Sequence, residues 1–214
     1  MIDLVVNEIF HSIQGESSYA GRPCVFVRLS ACNLRCAWCD TAYAFTGGTS
    51  MSLDSILSTI SSYACDLVEV TGGEPLLQPG CYDLMTALCD GGSEVLLETG
   101  GSLAIGRVDP RVHRIVDVKC PGSGMADRNL WTNIPLLTPR DEVKFVIADH
   151  ADFLWACEIE QRYGLSSRCP VHFSPVFGVL SPTDLAAWML ETGVRGRLQI
   201  QLHKYLWDPQ RRGV

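Results

Sequence analysis

Seven short runs rich in Val, Ile, Leu and Phe recur along this chain, and apolar residues at helical spacing fill stretches between them. The runs are Cys24 to Ser30, Leu67 to Thr71, Glu94 to Thr99, Arg114 to Lys119, Val143 to Ile147, Val171 to Ser174 and Leu198 to His203. Leu53, Ile56, Leu57 and Ile60 share one helical face, opened by Ser52. Leu84, Met85, Leu88 and Cys89 share another, closed by Gly91-Gly92. Ser181-Pro182-Thr183-Asp184 supplies an N-cap, a first-turn proline and an early carboxylate, and Gly193 stops that helix. Strand, helix and strand in repetition predict an α/β fold of mostly parallel strands with crossover helices. Functional loops in such folds lie at the carboxyl ends of the strands. The 214 residues suit one domain spanning 1–214. A complete eight-unit β/α barrel takes about 250 residues, so a barrel here has to be reduced and partial. The proline- and glycine-bearing stretch from Cys120 to Asp141 predicts a long connection or lid.

Composition narrows the function classes. A chain that is 47% hydrophobic and 19% charged buries a sizeable core and is not disordered. Seventeen basic against twenty-four acidic residues give a net charge of −7, and the only basic pair that stands out is Arg211-Arg212. Direct nucleic-acid binding, which needs a basic patch, is therefore disfavoured. No stretch reaches the roughly 18 apolar residues of a membrane span. Met1 to Phe10 carries Asp3 and Glu8 and lacks a basic leader, so the expected location is cytoplasmic. Ten cysteines in a reducing compartment point to metal or redox chemistry.

Cys32, Cys36 and Cys39 form a CxxxCxxC cluster just beyond the first long apolar run, in the loop position expected for a site. Three thiolates within eight residues can wrap one face of a metal centre and leave its fourth position without a cysteine. A structural zinc site wants a fourth ligand, and His11 is the nearest histidine. Buried thiols acting as small hydrophobes are the plain alternative. The other seven cysteines sit singly and read as core fillers.

This spacing, with Trp38 just before the third cysteine, resembles the signature of the radical S-adenosylmethionine superfamily. The resemblance implies a [4Fe-4S] cluster on Cys32, Cys36 and Cys39, with S-adenosylmethionine on the open iron. Electron transfer from the cluster then yields methionine and a 5′-deoxyadenosyl radical, so the cofactors carry the hard chemistry. Thr71-Gly72-Gly73-Glu74-Pro75 resembles the superfamily's GGEP motif, which implies that Gly73 and Glu74 hold the methionine ammonium. Trp38, Asp40, Glu98, Asp117, Lys119 and Ser174, at or near loop and strand ends, are the remaining candidates for the cofactor. A cap at Glu98 and a simple ion pair between Asp117 and Lys119 are the structural alternatives.

The substrate is read outside the cluster. Phe10 to Glu16, Gly21 to Arg28, Cys39-Asp40-Thr41 and Gln201 to Leu206 together resemble the 7-carboxy-7-deazaguanine synthase family over nearly the whole chain. That family is similar to a reduced β/α barrel and is commonly homodimeric. The implied substrate is 6-carboxy-5,6,7,8-tetrahydropterin. Ile13, Gln14, Gly15, Glu16, Thr71 and His203 are the expected contacts to it, and Arg28 can fork onto its carboxylate. An unpaired Arg28 inside an apolar strand would be costly, so a carboxylate partner is expected from protein or ligand. Thr41 is the implied Mg²⁺ ligand, and an electron donor such as flavodoxin or ferredoxin is the implied protein partner. The implied reaction is a ring contraction with loss of ammonia, feeding the 7-deazapurine route to queuosine in tRNA. A glycyl-radical-activating enzyme and a non-catalytic iron-sulfur or zinc module are the competing readings. Gly100 stands where the family often carries Asn, and the tail after Pro209 runs beyond some relatives.

Overall fold

The computed structural model describes residues 2–214. Met1, the first residue of the N-terminal segment considered above, lies outside them. Strands β1 (Asp3–Ile13), β2 (Pro23–Leu29), β3 (Thr49–Ser52), β4 (Leu67–Gly72), β5 (Glu94–Thr99) and β6 (His113–Asp117) are followed by β7 (Glu142–Ile147), β8 (Val171–Pro175) and β9 (Arg197–Leu198). Helices α1 (Leu53–Ser61), α2 (Gly80–Asp90), α3 (His150–Tyr163), α4 (Pro182–Thr192) and α5 (His203–Leu206) alternate with them. All nine strands join one sheet in the order β3-β1-β2-β4-β5-β6-β7-β8-β9. Every pairing from β2 to β9 is parallel, and β1 runs antiparallel to both β2 and β3. With β3 and β9 as free edges the sheet stays open, a partial barrel.

Side chains alternate between the two faces of each strand, and the two faces bury different things. Val25, Val27, Val68, Val70, Val95 and Leu97 pack into the large core under the helices. Cys24, Phe26, Leu67, Leu96 and Ile115 form a smaller cluster on the opposite, concave face. Burial on both faces explains why the parallel strands read as continuous apolar runs. The helix boundaries follow the cap chemistry: Ser52 accepts from the Ser55 amide and Ser181 from the Thr183 amide. Gly193 ends α4 in the left-handed region at φ +63°.

Three features depart from the sequence reading. The expected strand from Leu198 to His203 is only two residues long, because β9 pairs with β8 through Arg197 and Leu198 alone. His203 instead opens the short helix α5. Strand β1, the longest of the nine, escaped detection because polar Asn7, Glu8, His11 and Ser12 interrupt its apolar residues. Helix α3 carries little amphipathic contrast and is defined by its ends, with Asp149 accepting from the Asp152 amide and Gly164 at φ +58°. The stretch from Cys120 to Asp141 is the expected connection, made of three short 3-10 turns.

Of the seven single cysteines, Cys24, Cys81, Cys120 and Cys169 are buried and the other three are half-buried. All ten are free thiols. No helix among the described residues is long and apolar enough to cross a membrane.

Candidate active site

The concave face opens into a cavity of about 500 Å³. Its rim carries the loop after β2. Cys32, Cys36 and Cys39 all line it, with Trp38, Asp40 and Thr41 beside them. Two contacts hold this loop against the long connection: the Ala37 amide donates to the Ser123 carbonyl at 3.0 Å, and the Arg35 amide to Met125 Sδ at 3.3 Å. Burial raises the Cys32 and Cys36 thiol pKa values, and Lys119 partly offsets that effect at both. The Leu34 amide points at Cys32 Sγ from 3.4 Å, a donor that a ligating thiolate can accept. Among the described residues no group of three His, Cys, Asp or Glu side chains is placed to hold a single metal ion.

The Gly72-Gly73 turn after β4 packs directly on this loop. A Cβ at Gly73 would sit 2.3 Å from the Ala31 carbonyl oxygen and 2.7 Å from Cys32 Cβ. Glu74 is fully buried and does not line the cavity. Its carboxylate accepts from the Leu76 amide at 3.0 Å, the Gly100 amide at 2.8 Å and Thr99 Oγ1 at 2.9 Å. Glu74 therefore ties the end of β4 to the end of β5. A Cβ at Gly100 would meet Leu34 Cδ1 at 2.9 Å, the tip of a side chain that can turn aside.

Asp117, Lys119 and Ser174 line the cavity from β6, its following loop and β8. Asp117 Oδ2 takes Lys119 Nζ at 2.6 Å. Its buried Oδ1 has no hydrogen-bond partner among the described residues, which leaves an acceptor for a donor-bearing ligand. Burial opposes the Lys119 charge, but Asp117 raises the Lys119 pKa overall.

Ile13, Gln14, Gly15 and Glu16 reach the cavity from the far end of β1. Gln14 Nε2 donates to Glu69, and Gln14 Oε1 accepts from the Glu16 amide at 3.0 Å. Lys144 Nζ lies 2.8 Å from Glu16 Oε2 and also contacts Glu98. Burial alone would raise the Glu16 pKa, but the Lys144 charge brings it below the usual carboxylate value. Burial, reinforced by the charges of Glu98 and Glu16, pushes Glu69 well above that value, against the pull of Lys144 and the hydrogen bond from Gln14. Thr71 Oγ1 donates to Glu98 Oε2 at 3.3 Å.

Arg28 finds its carboxylate within the protein. Its Nε lies 2.8 Å from Glu8 Oε1, across the β1–β2 pair, and Tyr43 donates to the same oxygen at 2.7 Å. The guanidinium still faces the cavity. Burial and the bond to Glu8 push the Tyr43 phenol up to about 12, against the pull of Arg28.

The C-terminal segment closes one side. The Leu202 amide donates to the Gly15 carbonyl at 2.9 Å, and a Cβ on Gly15 would collide with His203 Nδ1 at 2.1 Å. Lys204 Nζ meets Asp40 Oδ2 at 3.0 Å, and Gln201 Nε2 bridges Glu16 and Asp40 at 2.9 and 3.2 Å. Asp40 thus fastens α5 to the cysteine loop. Burial lowers the His203 pKa, favouring its neutral form.

Comparison with known proteins bears on this arrangement. Residues 27–187 match the Radical SAM superfamily, a span that includes all three cavity cysteines. The 7-carboxy-7-deazaguanine synthase of Chlorobaculum tepidum is 50% identical over 214 residues, covering 99% of this chain and 97% of that protein. The synthase of the same name from Koribacter versatilis is 46% identical, covering 98% of this chain and 99% of its own length. This chain belongs to the 7-carboxy-7-deazaguanine synthase family of radical SAM proteins. The fold agrees: the crystal structure of QueE from Escherichia coli superposes with a TM-score of 0.75 at 24% identity, covering 94% of this chain and 95% of that one.

In this synthase family member, the sequence candidates that line the cavity are joined by residues the sequence reading passed over. Glu69 and Lys144 are the most consequential, and Gln201, Lys204, Gln210 and Val214 also contribute to its walls. A usable signal existed for the first two. In a strand buried on both faces, a charged residue flanked by apolar neighbours must point away from the helices, as Arg28 does. Glu69 between Val68 and Val70, and Lys144 between Val143 and Phe145, satisfy the same rule.

Proposed function

We propose that this chain is a lyase that converts 6-carboxy-5,6,7,8-tetrahydropterin into 7-carboxy-7-deazaguanine with loss of ammonia. The observation that carries the reading is a single cavity with three free thiols at its rim and a pterin-sized set of donors and acceptors at its floor. Cys32, Cys36 and Cys39 would hold the [4Fe-4S] cluster. Asp117 Oδ1 and the backbone at Gly73 offer acceptors to S-adenosylmethionine, with Trp38, Ser174 and Lys119 around them. When bound, the cluster supplies the electron that cleaves S-adenosylmethionine to methionine and a deoxyadenosyl radical.

The chain's own residues orient the substrate. Glu16 and Glu98 accept from a donor-bearing pterin edge, and Glu69, held by Gln14, adds a further polar group beside them. Thr71, Ile13 and the Gly15 backbone shape the floor, and His203 covers it. Arg28 spends Nε on Glu8 and turns its two terminal nitrogens to the substrate carboxylate. Thr41, whose Oγ1 lies 3.8 Å from Cys39 Sγ, is the protein oxygen for a Mg²⁺ ion that would otherwise use water and substrate oxygens. An electron donor such as a flavodoxin or ferredoxin would reduce the cluster. Exposed Leu190 and Leu198 give a homodimer an apolar seam, and the free thiols suit the cytoplasm.

The test is anoxic reconstitution followed by incubation with reductant, S-adenosylmethionine, Mg²⁺ and the carboxypterin. Mass spectrometry is expected to find 7-carboxy-7-deazaguanine and an equal amount of ammonia. An unchanged pterin in the presence of a competent cluster would refute the reading.

A further inference from the structure

The floor of the cavity holds more charge than a pterin contact set requires. Three carboxyl groups, Glu16, Glu69 and Glu98, converge there from the β1–β2 loop, β4 and β5, and one cation, Lys144 of β7, meets them. The Lys144 side chain is only 6% exposed. Its ammonium contacts two carboxylates that belong to segments 82 residues apart in sequence, Glu16 and Glu98. Glu16 is held further by Gln201, and Glu98 by Thr71. Glu16 and Glu98 are partly buried, with side chains 16% and 29% exposed, and without a cation between them the two carboxylates would repel each other and be free to turn. One ammonium removes both problems and sets the angle at which each remaining oxygen faces the cavity.

We propose that Lys144 is a positioning residue for the substrate: its ammonium clamps Glu16 and Glu98 in the one arrangement that binds the carboxypterin. The inference rests on the substrate reading above. Lys144 Nζ donates to both carboxylates, which consumes one oxygen of each and leaves the other for the ligand or for Gln201 and Thr71. Without the ammonium, Glu16 and Glu98 lose their shared counter-ion, and the pocket trades two fixed acceptors for groups that repel each other and swing apart. Arginine cannot replace it in kind, because a planar fork cannot put one nitrogen between two carboxylates as a point charge does.

The test compares Lys144→Met, Lys144→Arg, Glu16→Gln and the Lys144→Met/Glu16→Gln double variant as reconstituted holoenzymes. Equilibrium dialysis without reductant gives the carboxypterin Kd, and turnover gives KM and kcat. Lys144→Met is expected to weaken carboxypterin binding by about tenfold or more, with the iron content and visible spectrum of the wild type. Lys144→Arg is expected to fall between the two. The lysine substitution is expected to cost less in the Glu16→Gln background than in the wild type, since the shared contact is then already gone. Wild-type Kd and KM in both lysine variants, or strictly additive penalties in the double variant, would overturn the proposal. If Lys144→Met fails to fold, Lys144→Arg decides alone, and a wild-type Kd there overturns the clamp. A wild-type enzyme that binds no carboxypterin would refute the substrate reading instead.

Discussion

Gly73 illustrates how a single missing side chain shapes the site. The Gly-Gly-Glu-Pro turn could be read from sequence as a ligand-binding edge, but its tightest contact is with the protein, at the Ala31 carbonyl and Cys32 Cβ. Backbone cannot give way as a flexible side chain can, so Gly73→Ala is expected to displace the loop that carries Cys32. The measurable result is loss of reconstituted iron while the circular dichroism of the remaining fold persists. Full iron content in that variant would show that the loop tolerates the added carbon. Arg28 makes a different kind of prediction, because its Nε is already satisfied by Glu8. Arg28→Ala removes the terminal nitrogens proposed to take the substrate carboxylate, and a charged hydrogen bond of that kind is worth about 1.5 to 3 kcal/mol. The carboxypterin KM is therefore expected to rise by about tenfold or more, with an unchanged iron spectrum. An unchanged KM would retire Arg28 from that role.

At the scale of elements, the floor of the barrel depends on Glu142 at the start of β7. It is fully buried, accepts His113 Nε2 at 2.9 Å and the Ser18 amide at 3.0 Å, and lies 2.8 Å from His172 Nε2. Burial would raise its pKa, but the hydrogen bond from His113 and the close approach of His172 hold it far below the usual carboxylate value. A carboxyl depressed in the folded state stabilises the fold above its unfolded pKa of about 4.3, and that contribution fades as pH falls below it. Glu142→Gln should therefore lower stability by about 2 kcal/mol at pH 7, with the gap to wild type narrowing below pH 4. Urea unfolding at the two pH values checks this, and a gap independent of pH would contradict it.

Elements buried on both faces were legible in the sequence: β4, β5, β7 and β8 appear there as apolar runs within a residue or so of their bounds. So were helices with side-chain caps at Ser52 and Ser181. The misses share a physical cause. β1 and β3 sit towards an open edge with one face wetter, and β9 ends after two residues because the chain turns to bring His203 over Gly15. Those are tertiary demands that local periodicity does not carry.

Across the whole molecule, the open sheet keeps two separate apolar clusters, one under the helices and one lining the concave side, and the polar site occupies the rest of the concave side. The cysteine loop, its GGEP-like neighbour and the apolar strand pattern were all readable in advance, because each is local. The Lys144 clamp and the docking of residues 201–204 were not, because they join segments far apart in the sequence. Leu190, on helix α4, is 84% exposed. If that side forms the homodimer seam, Leu190→Glu is expected to lower the sedimenting mass from twice the 23.5 kDa chain towards one chain. A wild-type protein that sediments as a single chain would remove the seam. The most direct test of the account is chemical analysis of anoxically reconstituted protein for iron and acid-labile sulfide, followed by reduction in the presence of S-adenosylmethionine. The account predicts iron and sulfide in equal amounts and formation of 5′-deoxyadenosine, both abolished when Cys32, Cys36 and Cys39 are replaced by alanine. A folded protein that takes up zinc without sulfide, or that holds iron and leaves S-adenosylmethionine intact, would contradict it.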